Sequence, residues 1–108
     1  MKTRNIFVFV LFLLPALTFA GEIFGTLKKD GKPVAKQEVL ITQGGKTIGR
    51  DTTDAKGYYS ITVKPVGQCK LEVTGYAGAV YSVVSTNNSV DYTLSLVKAG
   101  DKWELKKM

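Results

Sequence analysis

The segment Thr52-Thr53-Asp54-Ala55-Lys56-Gly57-Tyr58-Tyr59 constrains this chain more than any other, because it joins two runs of alternating apolar residues through a tight turn. Asp54 has a carboxylate short enough to bond back to the turn amides, and Gly57 takes positive φ without steric cost. Tyr59, Ile61 and Val63 then resume at a period of two, the mark of a strand with one buried face.

The same period recurs on both sides of this turn. Ile23, Gly25 and Leu27 alternate with Glu22, Phe24 and Thr26 in a first strand closed by Asp30-Gly31-Lys32-Pro33, with Phe24 placed to cover an end of the fold. Val39 and Ile41 point inward in a second strand, and Gly44-Gly45 suits a two-residue primed turn. The run from Thr47 to Thr53 holds Ile48 among polar residues and suits an edge or half-exposed position. Pro65-Val66-Gly67 separates Tyr58 to Val63 from a strand carrying Cys69, Leu71 and Val73. A further strand is expected over Tyr76 to Ser85, and another over Val90, Tyr92, Leu94 and Leu96 after the Thr86-Asn87-Asn88-Ser89 turn.

The C-terminal segment Lys102 to Lys106 returns as a hairpin. A loop of two or four residues puts Trp103 and Leu105 on the face of Leu94 and Leu96, whereas a loop of three would flip them. No stretch after Gly21 sustains a helical period. The expectation is therefore all-β: a small β-sandwich of about seven strands plus a C-terminal hairpin strand. Its expected core contains Tyr59, Ile61, Val63, Leu71, Val73, Tyr92, Leu94 and Leu96.

Residues 1–20 have the pattern of a cleaved export signal. Lys2 and Arg4 precede the apolar run from Ile6 to Leu14, and Thr18-Phe19-Ala20 supplies a small-x-small site. That run is far shorter than the roughly 20 residues of a membrane helix, so stable membrane insertion after cleavage is not expected. Residues 21–108 suffice for one hydrophobic core and not two. The expected location is periplasmic or secreted, and the single Cys69 leaves the fold without an internal disulfide. The formal net charge is +6, but the lysines are scattered singly along the sequence. That spacing suits a solvated surface and gives no basic stripe for nucleic acid.

With these residues placed, Ile23 to Leu96 resembles the carboxypeptidase regulatory-like domains, small sandwiches of transthyretin-like or prealbumin-like topology. The resemblance is carried by Gly25, by Gly31-Lys32-Pro33-Val34-Ala35 before Val39, by Thr53-Asp54-Ala55-Lys56-Gly57-Tyr58-Tyr59, and by Gly67 ahead of Leu71, Val73 and Gly75-Tyr76. Thr-Asp-x-x-Gly-x-Tyr is its most specific element, and Lys36-Gln37 stands where the family has a small Gly-Ala pair. The resemblance implies a prealbumin-like (Ig-like) sandwich over residues 21–108 and a non-catalytic module with interaction or scaffolding roles. Transthyretin-like hydrolases of hydroxyisourate are similar in fold but rely on His residues that this chain lacks.

The absence of His removes imidazole acid–base chemistry, Ser-His and Cys-His nucleophiles and His-based metal sites. Asp51 and Asp54 lie near one loop, but turn formation explains them better than a Ca²⁺ site, which needs 6–8 oxygen ligands. Cys69 shares parity with Leu71 and Val73 and is expected to point inward as an inert thiol. Lys28 and Asp91 suit an isopeptide pair by residue type but fall on the outward phase of their strands. Asn87-Asn88-Ser89 matches a glycosylation acceptor and also a hairpin turn. Tyr58, Tyr76, Tyr81 and Trp103 are candidates for an aromatic platform. No catalytic, cofactor-binding or metal residue is expected, and no cofactor. The expected function is an exported non-catalytic binding or structural module of the cell envelope, its partner an envelope protein or polysaccharide. The alternative is a carbohydrate-binding module using exposed aromatics.

Overall fold

Alternation in the sequence becomes alternation in burial. The computed structural model describes residues 21–108; the expected export signal lies outside the described residues. Ten strands follow in order: β1 (Gly21–Lys29), β2 (Lys32–Pro33), β3 (Glu38–Gln43), β4 (Lys46–Thr52), β5 (Tyr58–Val63), β6 (Gly67–Val73), β7 (Val80–Ser85), β8 (Val90–Asp91), β9 (Leu94–Ala99) and β10 (Lys102–Lys107). No described residue is helical.

Two sheets face each other. In the first, β10, β9 and β1 lie side by side, β5 and the short β2 pair antiparallel with β1, and β8 pairs parallel with β1 in line with β9. The second has the order β4-β3-β6-β7, all antiparallel. Discounting the two-residue β2 and β8, the long strands match the expected sandwich with its C-terminal hairpin strand.

Between the sheets lie Ile23 and Leu27, Val39 and Ile41, Tyr59, Ile61 and Val63, Leu71 and Val73, and Leu94, Leu96 and Leu105. Burying one such side chain contributes about 1.5–3 kcal/mol, so the alternating strands are what hold the fold. The C-terminal hairpin has a two-residue loop: Leu105 lies opposite Leu96 and Trp103 opposite Lys98, the register that buries Leu105. Gly44 and Gly45 both take positive φ, 61° and 81°, as a primed hairpin turn requires. β4 is an edge strand, with a bulge where the register shifts between Ile41 and Thr42.

The central turn forms as its residues dictate. The Asp54 carboxylate accepts from the amides of Lys56 (2.8 Å) and Tyr58 (3.0 Å), and the chain crosses from one sheet to the other. Thr53, just before it, is buried. Its hydroxyl donates to the Val34 carbonyl (2.6 Å) and accepts from the Gln37 amide (2.9 Å), while its backbone exchanges bonds with Lys36 and Gln37. Within this clamp Lys36 takes a φ of 56°.

Three expectations need correction. Tyr76 to Ser85 is not one strand: Gly75 and Gly78 sit at φ near 89° and 88°, the chain turns, and β7 starts at Val80. The strand expected from Val90 to Leu96 keeps one register against β1 but is interrupted at Tyr92 and Thr93, and Tyr92 is half-buried rather than in the core. The cause is the buried Tyr59 hydroxyl, which takes the Tyr92 carbonyl as acceptor. Phe24 covers no end of the sandwich; it lies on the outer face of the first sheet.

Candidate functional site

The acidic candidates are consumed by backbone. Asp51 accepts from the amides of Thr52 (2.8 Å) and Ser60 (2.9 Å), the latter tying edge strand β4 to β5, and Asp54 is held inside its own turn. The described residues contain no cluster of three or more His, Cys, Asp or Glu able to hold a metal ion. Lys28 and Asp91 are not brought together. Lys28 stands opposite Ser95 and Asp91 opposite Phe24, four residues apart along β1 and so roughly 13 Å away. Asn87 is exposed in a turn built by the Thr86 hydroxyl and Asn88.

Cys69 is 4% exposed and faces inward with Leu71 and Val73. Its Sγ lies 3.6 Å from both the Gln43 amide nitrogen and the Gly67 carbonyl. Burial pushes the thiol pKa up, and hydrogen bonds from the Ser85 backbone and Gln43 only partly oppose this. A protonated, enclosed thiol is a poor nucleophile.

The four aromatic candidates do not form one platform. Tyr76 and Trp103 meet edge to face, with centroids 5.1 Å apart, and the ammonium groups of Lys29 and Lys98 each lie 5.5 Å from the Trp103 ring. Tyr81 packs edge-on against Tyr92, which Lys107 covers at 5.6 Å. Tyr58 stands apart from both groups. It is 53% exposed on the outer face of the first sheet, on the diagonal from Phe24, since Tyr58 is opposite Thr26 and Phe24 opposite Ser60. Phe24 and Tyr58 line an open cleft of about 390 Å³ with Glu22, Thr26, Ser60, Asp91 and Thr93.

Sequence spacing also hid a basic region. Lys28, Ser95 and Lys106 fall on one register line across β1, β9 and β10, which sets a lysine on either side of Ser95. No period along the chain predicts this, because parallel pairing of β1 with β9 joins residues 67 positions apart.

β10 ends the first sheet. In this hairpin Lys102, Glu104 and Lys106 direct their backbone groups to β9, so those of Trp103, Leu105 and Lys107 point away. The Trp103 amide is taken by the Ala77 carbonyl at 2.8 Å, where the turn before β7 reaches over. The backbone groups of Leu105 and Lys107 have no partner among the described residues.

This arrangement of two four-stranded layers, with β5, β1, β9 and β10 facing β4, β3, β6 and β7, recurs in solved structures. The 5-hydroxyisourate hydrolase of Klebsiella pneumoniae superposes with a TM-score of 0.58 at 15% identity, over 82% of this chain and 98% of that one. The chain has the transthyretin-like fold. A 9R-lipoxygenase from Cyanothece PCC8801 gives a TM-score of 0.48 at 16% identity, over 88% of this chain and 18% of that one. No protein-family model matches the sequence, and no curated protein matches it. At 15% identity the likeness to the hydrolase concerns fold, and the chemistry must come from the residues themselves.

Proposed function

We propose that this protein is an exported, non-catalytic binding module of the cell envelope, carboxypeptidase regulatory-like in kind, whose protein partner adds a strand to the open edge of β10. The observation that carries the reading is that edge: the outward N–H and C=O groups of Leu105 and Lys107 are available to a further strand. The Thr53-Asp54-x-x-Gly57-x-Tyr59 element supports the narrower affiliation. The chain has no His, its thiol is enclosed and its turn carboxylates are committed to backbone amides, which supports binding without catalysis.

Lys107→Pro tests the reading. Lys107 is exposed and its amide faces away from β9, so proline removes an edge donor while leaving the hairpin bonds in place. A partner cross-linked to β10 in envelope extract by the parent should be lost from this variant, with the circular dichroism unchanged. The exported protein should begin at Gly21 by intact mass, and binding through main-chain bonds should change little with salt, whereas an anionic polymer would be released. Equal cross-linking by Lys107→Pro, retention of residues 1–20, or substrate turnover abolished by Asp51→Ala in a folded protein would each overturn the reading.

A further inference from the structure

We infer that the outer face of the first sheet, where β5, β1 and β8 adjoin, is a carbohydrate site that takes a hexopyranose unit without acidic groups. The inference is independent of the β10 edge. It starts from two rings on one exposed face. Tyr58 is more than half exposed, and Phe24 is half-buried on the same side of the sheet, one diagonal away. The faces of Trp103 and Tyr92 are attended by lysine ammonium groups, but neither Tyr58 nor Phe24 lies under a lysine or against another ring among the described residues. Both rings are thus left without an aromatic or cationic partner and can meet the C–H surface of a pyranose ring.

Around the rings stand the groups that sugar hydroxyls need. Glu22 accepts from the Ser60 hydroxyl and, at 3.5 Å, from that of Ser89. Asp91 Oδ1 accepts from the Thr93 hydroxyl at 2.8 Å. Glu22 is therefore oriented by two hydroxyls and Asp91 by one, and Asp91 Oδ2 has no hydrogen-bond partner among the described residues. An oriented carboxylate oxygen is a strong acceptor for a ligand O–H. The Thr26 and Thr93 side chains add further polar groups to the wall.

Charge selects among sugars. The chain as a whole is basic, yet among the described residues no lysine or arginine lines this cleft and two carboxylates do. Uronic acids and phosphorylated sugars are therefore repelled, while neutral and amino sugars are accepted. The volume of about 390 Å³ is at the small end of ligand sites, which span roughly 300–1,000 Å³, and the cleft is open, so one unit of a longer chain fits with its neighbours outside.

The test is an amide chemical-shift titration of the exported protein with trisaccharides of glucose, mannose, galactose and N-acetylglucosamine, with the glucosamine trimer, and with trigalacturonate as the acidic probe. At least one neutral or amino trisaccharide should give saturable shifts at Phe24, Thr26, Tyr58 and Ser60. Tyr58→Ala, an exposed change that keeps the Asp54 turn bond to its backbone, should weaken that binding about tenfold or more. Lys107→Pro should leave it unchanged, which separates this site from the β10 edge. Absence of saturation up to about 10 mM for every probe would overturn the inference. So would shifts centred on Trp103, equal binding by Tyr58→Ala, or preference for trigalacturonate.

Discussion

The hydroxyl of Tyr59 donates to the backbone carbonyl of Tyr92 across the bare Cα of Gly25. Gly25 lies directly between them in the sheet, and a Cβ there would run into the Tyr92 carbonyl. A buried phenol needs an acceptor, and the sheet supplies one by turning a carbonyl out of its ladder; the Thr26 amide is left with the Thr93 hydroxyl at 3.4 Å. Gly25, Tyr59 and Tyr92 thus form one unit, and Gly25→Ala should disrupt it as surely as loss of the hydroxyl.

This unit makes stability fall in alkali. Burial first, then the charge of Asp91 and the neighbouring Tyr92, raises the Tyr59 pKa well above its ordinary 10.0. Below that value both folded and unfolded chains hold the proton and the contribution is complete. As pH rises past it the unfolded tyrosine ionises first, so stability falls by up to about 1.4 kcal/mol per pH unit until the folded group also titrates. Tyr59→Phe should cost about 1–3 kcal/mol at neutral pH by orphaning the Tyr92 carbonyl, yet show a flatter decline above pH 10. Urea unfolding of both proteins across this range checks it; parallel curves would remove Tyr59 from the account.

Thr53→Val keeps the shape of a buried side chain and deletes its hydroxyl. The Val34 carbonyl and Gln37 amide then lose a partner, at about 1–3 kcal/mol each if neither finds water. A loss of about 2–4 kcal/mol in denaturant unfolding is expected, against a few tenths for the exposed Thr52→Val.

Leu94 is fully buried opposite Leu27, so Leu94→Ala should cost on the order of 2–5 kcal/mol. A change below about half a kcal/mol would place its side chain outside the core.

Labelling of Cys69 at neutral pH should wait for the chain to open. With a typical stability of ~5–15 kcal/mol, modification should be more than about a hundredfold slower than in denaturant. A native rate near the denatured one would mean an accessible thiol, despite its 4% exposure.

What the sequence by itself determined is local. A period of two placed Ile61, Val63, Leu71, Val73, Leu94 and Leu96 in the core, because a pleated strand has only two faces and one of them must leave water. Asp54 and the Gly44-Gly45 pair specified their turns through backbone chemistry confined to a few neighbouring residues. For Leu105 the sequence narrowed the choice to two registers, and the two-residue loop selected the one that buries it. Tertiary structure alone decided what meets across strands distant in the chain. Tyr92 left the core because Tyr59, 33 positions earlier, required its carbonyl. Thr53 became a clamp because the loop after β2 passes beside it. The pairing of β1 with β5 set Phe24 beside Tyr58, and that of β1 and β10 with β9 lined Lys28 up with Lys106. Alternation says which side of its own strand a residue occupies, but neighbours on that side are chosen by strand order and register, which depend on packing the whole core at once.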